Sequence, residues 1–310
     1  MISWKYVQMS ADGVVEDFRL HGSRELSRGY VQSVSREVAE VALEHERRWH
    51  YELPKMKEVI ATIAVSRDGA MMPIRGEGYR EAMTGTLALF DRSGRRMHTI
   101  YVGSAPEYGT KNFEESLDYE LEQLRRTYAS ACVLGIADGA QSNWRYLDER
   151  SEVQILDFYH ATEYLAEISH LMELVSSEQS DSKGVWFERS CSRLKHEKGA
   201  AAELCREMRA ACEELGPRKR SEVERVITYF TNNLHRMDYP QYLRKGYAIG
   251  SGVCEAGCKV LVKQRLCESG MRWNIPGADD MLLLRSISMT TGRWEQFWKH
   301  WDQQSYDRRL

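Results

Sequence analysis

The stretch Val59-Ile60-Ala61-Thr62-Ile63-Ala64-Val65-Ser66-Arg67-Asp68-Gly69 decides the fold class of this chain. Its first seven residues form a short β-branched run that suits a pleated, packed surface, and Asp68-Gly69 is a turn signal. The run reads as a buried strand that closes at Asp68. Downstream, Thr84 to Phe90 reads as a second strand, Asp91-Arg92-Ser93-Gly94 as a hairpin turn and Met97 to Val102 as a third strand. Phe113, Leu117, Leu121, Leu124 and Tyr128 make an apolar stripe on a polar segment, so 113–129 is expected to be an amphipathic helix. Ala131 to Ala137 predicts a fourth strand ending at Asp138-Gly139, and Val153 to Phe158 a fifth. Three hairpin-connected strands, then helix, strand, short helix and strand, give a mixed α/β layout.

The flanks follow a different period. Residues 1–56 are polar and mixed, with Val31, Val34, Val38 and Val41 at helical spacing inside the run Ser23 to Trp49, which Leu53-Pro54 closes. From Ala161 to about Tyr239 no strand pattern appears. Glu163 to Val175, Val185 to Leu215 and Ser221 to Leu234 read as helices, punctuated by Gly216-Pro217. We therefore divide the chain into an N-terminal helical segment (1–56), a first core part (57–160), a helical insertion (161–240) with few expected contacts to the sheet, and a C-terminal helical part (241–310). In the last part Gly250-Ser251-Gly252 opens a helix over roughly 253–267, and Trp294, Trp298 and Trp301 recur at helical spacing.

Composition narrows the function classes. With 310 residues, 42% hydrophobic and 29% charged, the chain is an ordinary folded protein of about two domains, or one with an insertion. Its formal charge of -3 means that any nucleic-acid role needs a local basic patch. No run of about 18 apolar residues exists to span a membrane. The N-terminus Met1-Ile2-Ser3-Trp4-Lys5-Tyr6 lacks a signal core. Seven scattered cysteines read as reduced thiols, so a cytoplasmic location is expected.

Three carboxylates occupy strategic places. Asp68 is expected just after the first strand, Asp138 at the end of the fourth, and Glu255 in the first turn after Gly-Ser-Gly. Ligand chemistry in α/β sheets gathers beyond the carboxyl ends of strands. If strands one and four are parallel neighbours, Asp68 and Asp138 lie close, and a helix crossing that edge could bring Glu255 to them. Such a set suits Mg²⁺ or Mn²⁺, and two ions about 3.5–4 Å apart can drive phosphodiester cleavage. The structural alternative is plain: Asp-Gly is a common turn, and Glu at a helix start answers the dipole.

The surrounding words are more specific. Val65-Ser66-Arg67-Asp68-Gly69, Ile136-Ala137-Asp138-Gly139-Ala140-Gln141-Ser142-Asn143-Trp144 and Ile155-Leu156-Asp157-Phe158-Tyr159-His160-Ala161 appear in order. Gly250-Ser251-Gly252-Val253-Cys254-Glu255 and Ser269-Gly270-Met271-Arg272-Trp273 follow. Over residues 57–290 this resembles the catalytic region of bacterial insertion-sequence DDE transposases, most closely the ISKra4 family. The resemblance implies an RNase H-like mixed sheet flanked by helices, with an all-α insertion before the last acidic residue. It implies metal-dependent DNA cleavage and strand transfer with Asp68, Asp138 and Glu255 as the acidic set holding Mg²⁺ or Mn²⁺. Asp157 and His160 match a supporting Asp/Cys-x-x-His element. The implied partners are the terminal inverted repeats of the element and target DNA, bound by a homodimer at the bacterial nucleoid. Such transposases carry a longer N-terminal region; only about 56 residues precede the first strand here. That shortness suggests a second reading, a non-catalytic DNA-binding or regulatory remnant. A third is an RNase H-like nuclease acting on RNA–DNA hybrids.

Residues 241–273 carry Arg244, Lys245, Lys259, Lys263, Arg265 and Arg272 against only Glu255 and Glu268. Lys259, Lys263, Arg265 and Arg272 are candidate phosphate contacts, with a solvated helix face as the alternative. Trp273 is either a base-stacking platform or core. Cys254 and Cys258 share a helix face but lack a second pair to complete a zinc site.

Overall fold

The computed structural model describes residues 1–22, 24–46, 51–175 and 184–307. Strand β1 (Ile60–Ile74) pairs antiparallel with β2 (Gly78–Asp91), and β2 antiparallel with β3 (Arg96–Ser104). Strands β4 (Cys132–Ala137) and β5 (Val153–Leu156) then add in parallel, giving an open five-stranded sheet in the order β3-β2-β1-β4-β5. The parallel pairing of β1 with β4, expected from the sequence as a condition for the site, runs from Thr62 opposite Cys132 to Val65 opposite Gly135. Ile63, Ala64 and Val65 are all buried, as expected of a central strand covered on both faces. The hairpin turn after β2 is held by Asp91 Oδ1, which accepts from the Ser93 and Arg95 amides and the Ser93 hydroxyl.

One expectation is corrected here. Asp68-Gly69 is not a turn. β1 continues to Ile74, with Asp68 opposite Thr84 and Gly69 opposite Met83. The chain reverses instead around Gly76, whose φ of 83° is the left-handed conformation that side-chain-bearing residues avoid. β1 and β2 therefore extend beyond β4 as a two-stranded ribbon.

Helices α1 (Ile2–Gln8), α2 (Ala11–His21) and α3 (Arg28–Glu46) precede the sheet. The expected end of the third helix at Trp49 lies outside the described residues. Helix α4 (Lys111–Thr127) lays Phe113, Leu117, Leu121 and Leu124 on the sheet, each almost wholly buried. Helix α5 (Gln141–Leu147) joins β4 to β5. Among the described residues the segment after β5 carries helices and no strand: α6 (Phe158–Val175), α7 (Val185–His196), α8 (Ala200–Glu214), α9 (Pro217–Asn233) and α10 (Tyr239–Arg244). The single helix expected over 185–215 is broken at Gly199, which adopts a φ of 80°. These helices pack chiefly against one another, and their apolar side chains run on into the core of the sheet. Leu165, Leu194, Leu204 and Phe230 belong to the same buried cluster as Ile63, Leu134 and Ile155.

The C-terminal part comprises α11 (Gly252–Gly257), a π-helical turn (Cys258–Lys263), α12 (Gln264–Leu266), α13 (Ile275–Met289) and α14 (Arg293–Asp307). It forms a second core with α1–α3 and the outer ribbon, including Val7, Val31, Met72, Leu261 and Leu282. Trp294 is buried in this core and packs near Trp4, which accounts for part of the tryptophan stripe. Two buried arginines lie here without a carboxylate partner among the described residues. Arg265 donates to Tyr6 O at 3.1 Å, and Arg285 to Leu261 O at 3.0 Å and to Val7 O and Val260 O. Burial and the neighbouring Arg265 push Arg285 down to about 10. On the other side of the sheet edge a buried ion pair, Arg293 Nη2 to Glu120 Oε1 at 2.6 Å, ties α14 to α4.

Candidate active site

The site grows from the offset between β1 and β4. β4 ends at Ala137, and Asp138 follows it immediately. β1 runs on past its last pairing with β4 at Val65, so Asp68 projects at the same end of the sheet. Both aspartates line one polar cleft of about 530 Å³, together with Arg67, Glu81, Asn143 and Arg145.

Each carboxylate is oriented but not neutralised. Asp138 Oδ1 accepts from the Ala140 amide and from Asn143 Nδ2, both at 3.1 Å. The turn depends on Gly139, with a φ of 103°; a Cβ there would also come within 2.8 Å of the Tyr229 ring. Tyr229 donates its hydroxyl to Asp138 O at 2.7 Å and stacks on Tyr164 at 3.8 Å, so helices α6 and α9 brace the acidic turn. Asp68 Oδ1 accepts from the Gly69 amide at 2.7 Å, and Oδ2 from the Cys258 thiol at 3.5 Å. Among the described residues no ion pair engages Asp68, Asp138 or Glu255.

Glu255 is not among the residues that line this cleft. α11 docks through Cys254, whose thiol donates to Thr84 O at 3.7 Å, and through Cys258 against Asp68. Gly257 permits this approach, since a Cβ there would sit 3.0 Å from the Thr84 methyl. Glu255 follows Cys254 on the exposed side and does not line the cleft. Among the described residues no three His, Cys, Asp or Glu side chains gather closely enough to hold an ion. Of the three expected carboxylates, Asp68 and Asp138 line one cleft. Two carboxylates without an ion pair among the described residues fit a Mg²⁺ that keeps several waters, but not a closed three-carboxylate cage.

Buried Asp157 and half-buried His160 form a clamp at the start of α6. Asp157 is 1% exposed and accepts from the Tyr159 amide at 2.6 Å, the Ser251 amide at 2.5 Å and the Ser251 hydroxyl. It thereby fastens the Gly-Ser-Gly loop, and hence the start of α11, to the end of β5. His160 Nδ1 lies 3.7 Å from Asp157 Oδ2, an ion pair longer than a hydrogen bond. Burial alone would raise the Asp157 carboxyl, but the contacts from His160 and Ser251 outweigh it and hold it below its ordinary value. The same carboxylate raises His160 to about 9.

This clamp carries a pH signature. The folded value of His160 lies above its ordinary 6.5, so the folded state holds a proton that the unfolded state releases. The resulting stabilisation is complete below pH 6.5 and is lost as pH rises through about 9. The depressed Asp157 works in the opposite direction, and its stabilisation is lost as pH falls through its folded value. Urea midpoints of wild type should therefore fall between pH 6.5 and 9 more steeply than those of His160→Gln; equal slopes would remove the ion pair from the account.

The basic cluster divides on inspection. Lys259, Lys263 and Arg272 are exposed. Arg265 is 1% exposed and engaged with Tyr6 O, so it is a core cation and not a phosphate contact. Trp273 is also buried, with Nε1 donating to Leu266 O at 3.0 Å and its backbone bridging Ile74, which resolves it as core. Sequence reading overlooked Asn143, Ser251 and Arg145. Asn143 and Ser251 stand inside the quoted motifs and Arg145 directly follows one, but a motif does not say which polar side chains face a cleft. No protein-family model and no curated protein matches this chain.

Proposed function

We propose that this chain is the catalytic region of a DDE transposase of RNase H-like fold, which cleaves and joins DNA with Mg²⁺ or Mn²⁺. The observation that carries the reading is the cleft shared by Asp68 on β1 and Asp138 at the end of the adjacent parallel β4, neither of which has an ion pair among the described residues. The strand order β3-β2-β1-β4-β5, antiparallel through β1 and parallel beyond it, supports the RNase H-like assignment. Asp68 and Asp138 would hold the metal ion, which when bound activates water and stabilises the leaving oxygen of a phosphodiester. Asn143 and the Ala140 amide fix the Asp138 carboxylate. The Asp157–Ser251 clamp positions the helix bearing Glu255. In this reading Glu255 joins the pair only after α11 turns toward the cleft, and DNA is held as element ends and target by a homodimer.

The test is nicking of duplex DNA carrying the element's terminal repeats, with Mg²⁺ and with Mn²⁺. The position of Glu255 outside the cleft favours the second reading, a DNA-binding remnant without catalysis. That reading requires no cleavage with either ion while duplex binding persists.

Exposed Lys259 and Lys263 are the phosphate contacts of this proposal. Replacing both by alanine is expected to weaken duplex binding independently of sequence. The slope of log K against log salt should flatten by roughly 1.8, at about 0.9 per lost contact. An unchanged slope would make them a solvated helix face.

A further inference from the structure

The charges around the cleft do not cancel locally, and the residue that is left over is informative. Arg67 is spent: it is buried between the Phe113 and Tyr146 rings and its Nη1 lies 2.5 Å from Glu114 Oε1. Arg150 is spent as well, on Asp118 at 2.6 Å and Glu149 at 3.5 Å. Arg145 lines the same cleft, is exposed, and has no ion pair among the described residues. It rises from α5, two residues beyond the Asn143 that orients Asp138, while Trp144 and Leu147 of that helix are buried. The same cleft is lined by Asp68, Glu81 and Asp138, which likewise have no ion pair among the described residues.

A cleft with three uncompensated carboxylates and one uncompensated guanidinium repels a bare phosphate. With a divalent cation on the aspartates it becomes complementary to one: the ion takes one phosphate oxygen and the guanidinium takes others in a forked, charge-assisted pair. We propose that Arg145 is the phosphate-positioning residue of the cleft, gripping the phosphodiester that lies at Asp68 and Asp138. The inference rests on the reading of the cleft as a phosphodiester site. It separates two kinds of DNA contact. Lys259 and Lys263 act with or without metal, whereas Arg145 acts only when a cation has reversed the sign of the cleft.

The experiment measures binding of a short labelled DNA duplex by fluorescence anisotropy in Mn²⁺ and in EDTA, alongside Mn²⁺ binding by electron paramagnetic resonance. Arg145→Ala is expected to weaken duplex binding in Mn²⁺ by about 10- to 100-fold, the range for a lost hydrogen bond to a charged group. Binding in EDTA and Mn²⁺ affinity should be unchanged, which also certifies that the variant is folded. Arg145→Lys keeps the charge but not the fork, and should recover only part of the loss. The inference is overturned if Arg145→Ala binds duplex in Mn²⁺ as wild type does while Asp138→Asn loses the Mn²⁺-dependent increment; the cleft reading would then survive. If Mn²⁺ neither binds wild type nor strengthens its hold on duplex, the cleft reading fails and the inference fails with it.

Discussion

Asp138→Asn is expected to reduce metal-dependent strand cleavage by about a thousandfold or more while leaving the fold intact. The replacement is nearly isosteric, and its amide oxygen can still accept from the Ala140 N–H and from Asn143, both 3.1 Å away in wild type. What disappears is the negative charge that would hold a cation. A bound cation contributes several kcal/mol to the transition state, and each 1.36 kcal/mol is about tenfold in rate. The measurement is the rate of nicking of a repeat-bearing plasmid in Mg²⁺, with the melting temperature as a control on folding. A rate within tenfold of wild type would remove Asp138 from the catalytic set. Glu255→Gln in the same assay is equally informative. A comparable loss there requires α11 to turn during the reaction, because Glu255 does not line the cleft in this structure.

The largest stability effect is expected from Glu120→Ala. Glu120 is 6% exposed and Arg293 4%, and their contact of 2.6 Å spans α4 and α14. Removing the acid leaves a guanidinium in a dry environment, and breaking one side of such a pair costs about 3–5 kcal/mol. Urea unfolding should show the loss as a lower midpoint at constant slope. The double change Glu120→Ala with Arg293→Met should recover much of it, since the buried cation is then removed along with its acid. A single-variant cost below about 1 kcal/mol would mean that water reaches Arg293 in the absence of its partner.

The parts of this fold that were readable in advance are those governed by local pattern. The hairpin at Asp91–Gly94, the α4 stripe and the strand ending at Ala137 each announce themselves by period and turn chemistry. The outer half of β1 does not. Arg67, Asp68, Gly69 and Pro73 are poor strand residues, and they are held extended by pairing with β2 and by packing of Ala70 and Met72 against the second core. The site was half readable for the same reason. Asp138 follows from a strand end. The burial of Arg265 depends on a carbonyl 259 residues away in sequence, and no window along the chain contains that information. Arg145 is distinguished from Arg67 and Arg150 only by partners, Glu114 and Asp118, that lie 47 and 32 residues from them in sequence.

The hydrogen bond of 2.7 Å from Tyr229 to the carbonyl of Asp138 has a mechanical consequence. Hydrogen bonds of this kind have a short reach, and a displacement of α9 by about 1 Å would break it. The helical block and the acidic turn are thus in series, like a strut and the hinge it loads. Whatever grips the outer surface of α6 or α9 pulls on the backbone that aims Asp138, through Gly139, the most pliable residue of the turn. Stiffness at the carboxylate is therefore set partly from outside the sheet, and a load on the block is felt where the chemistry is proposed to occur.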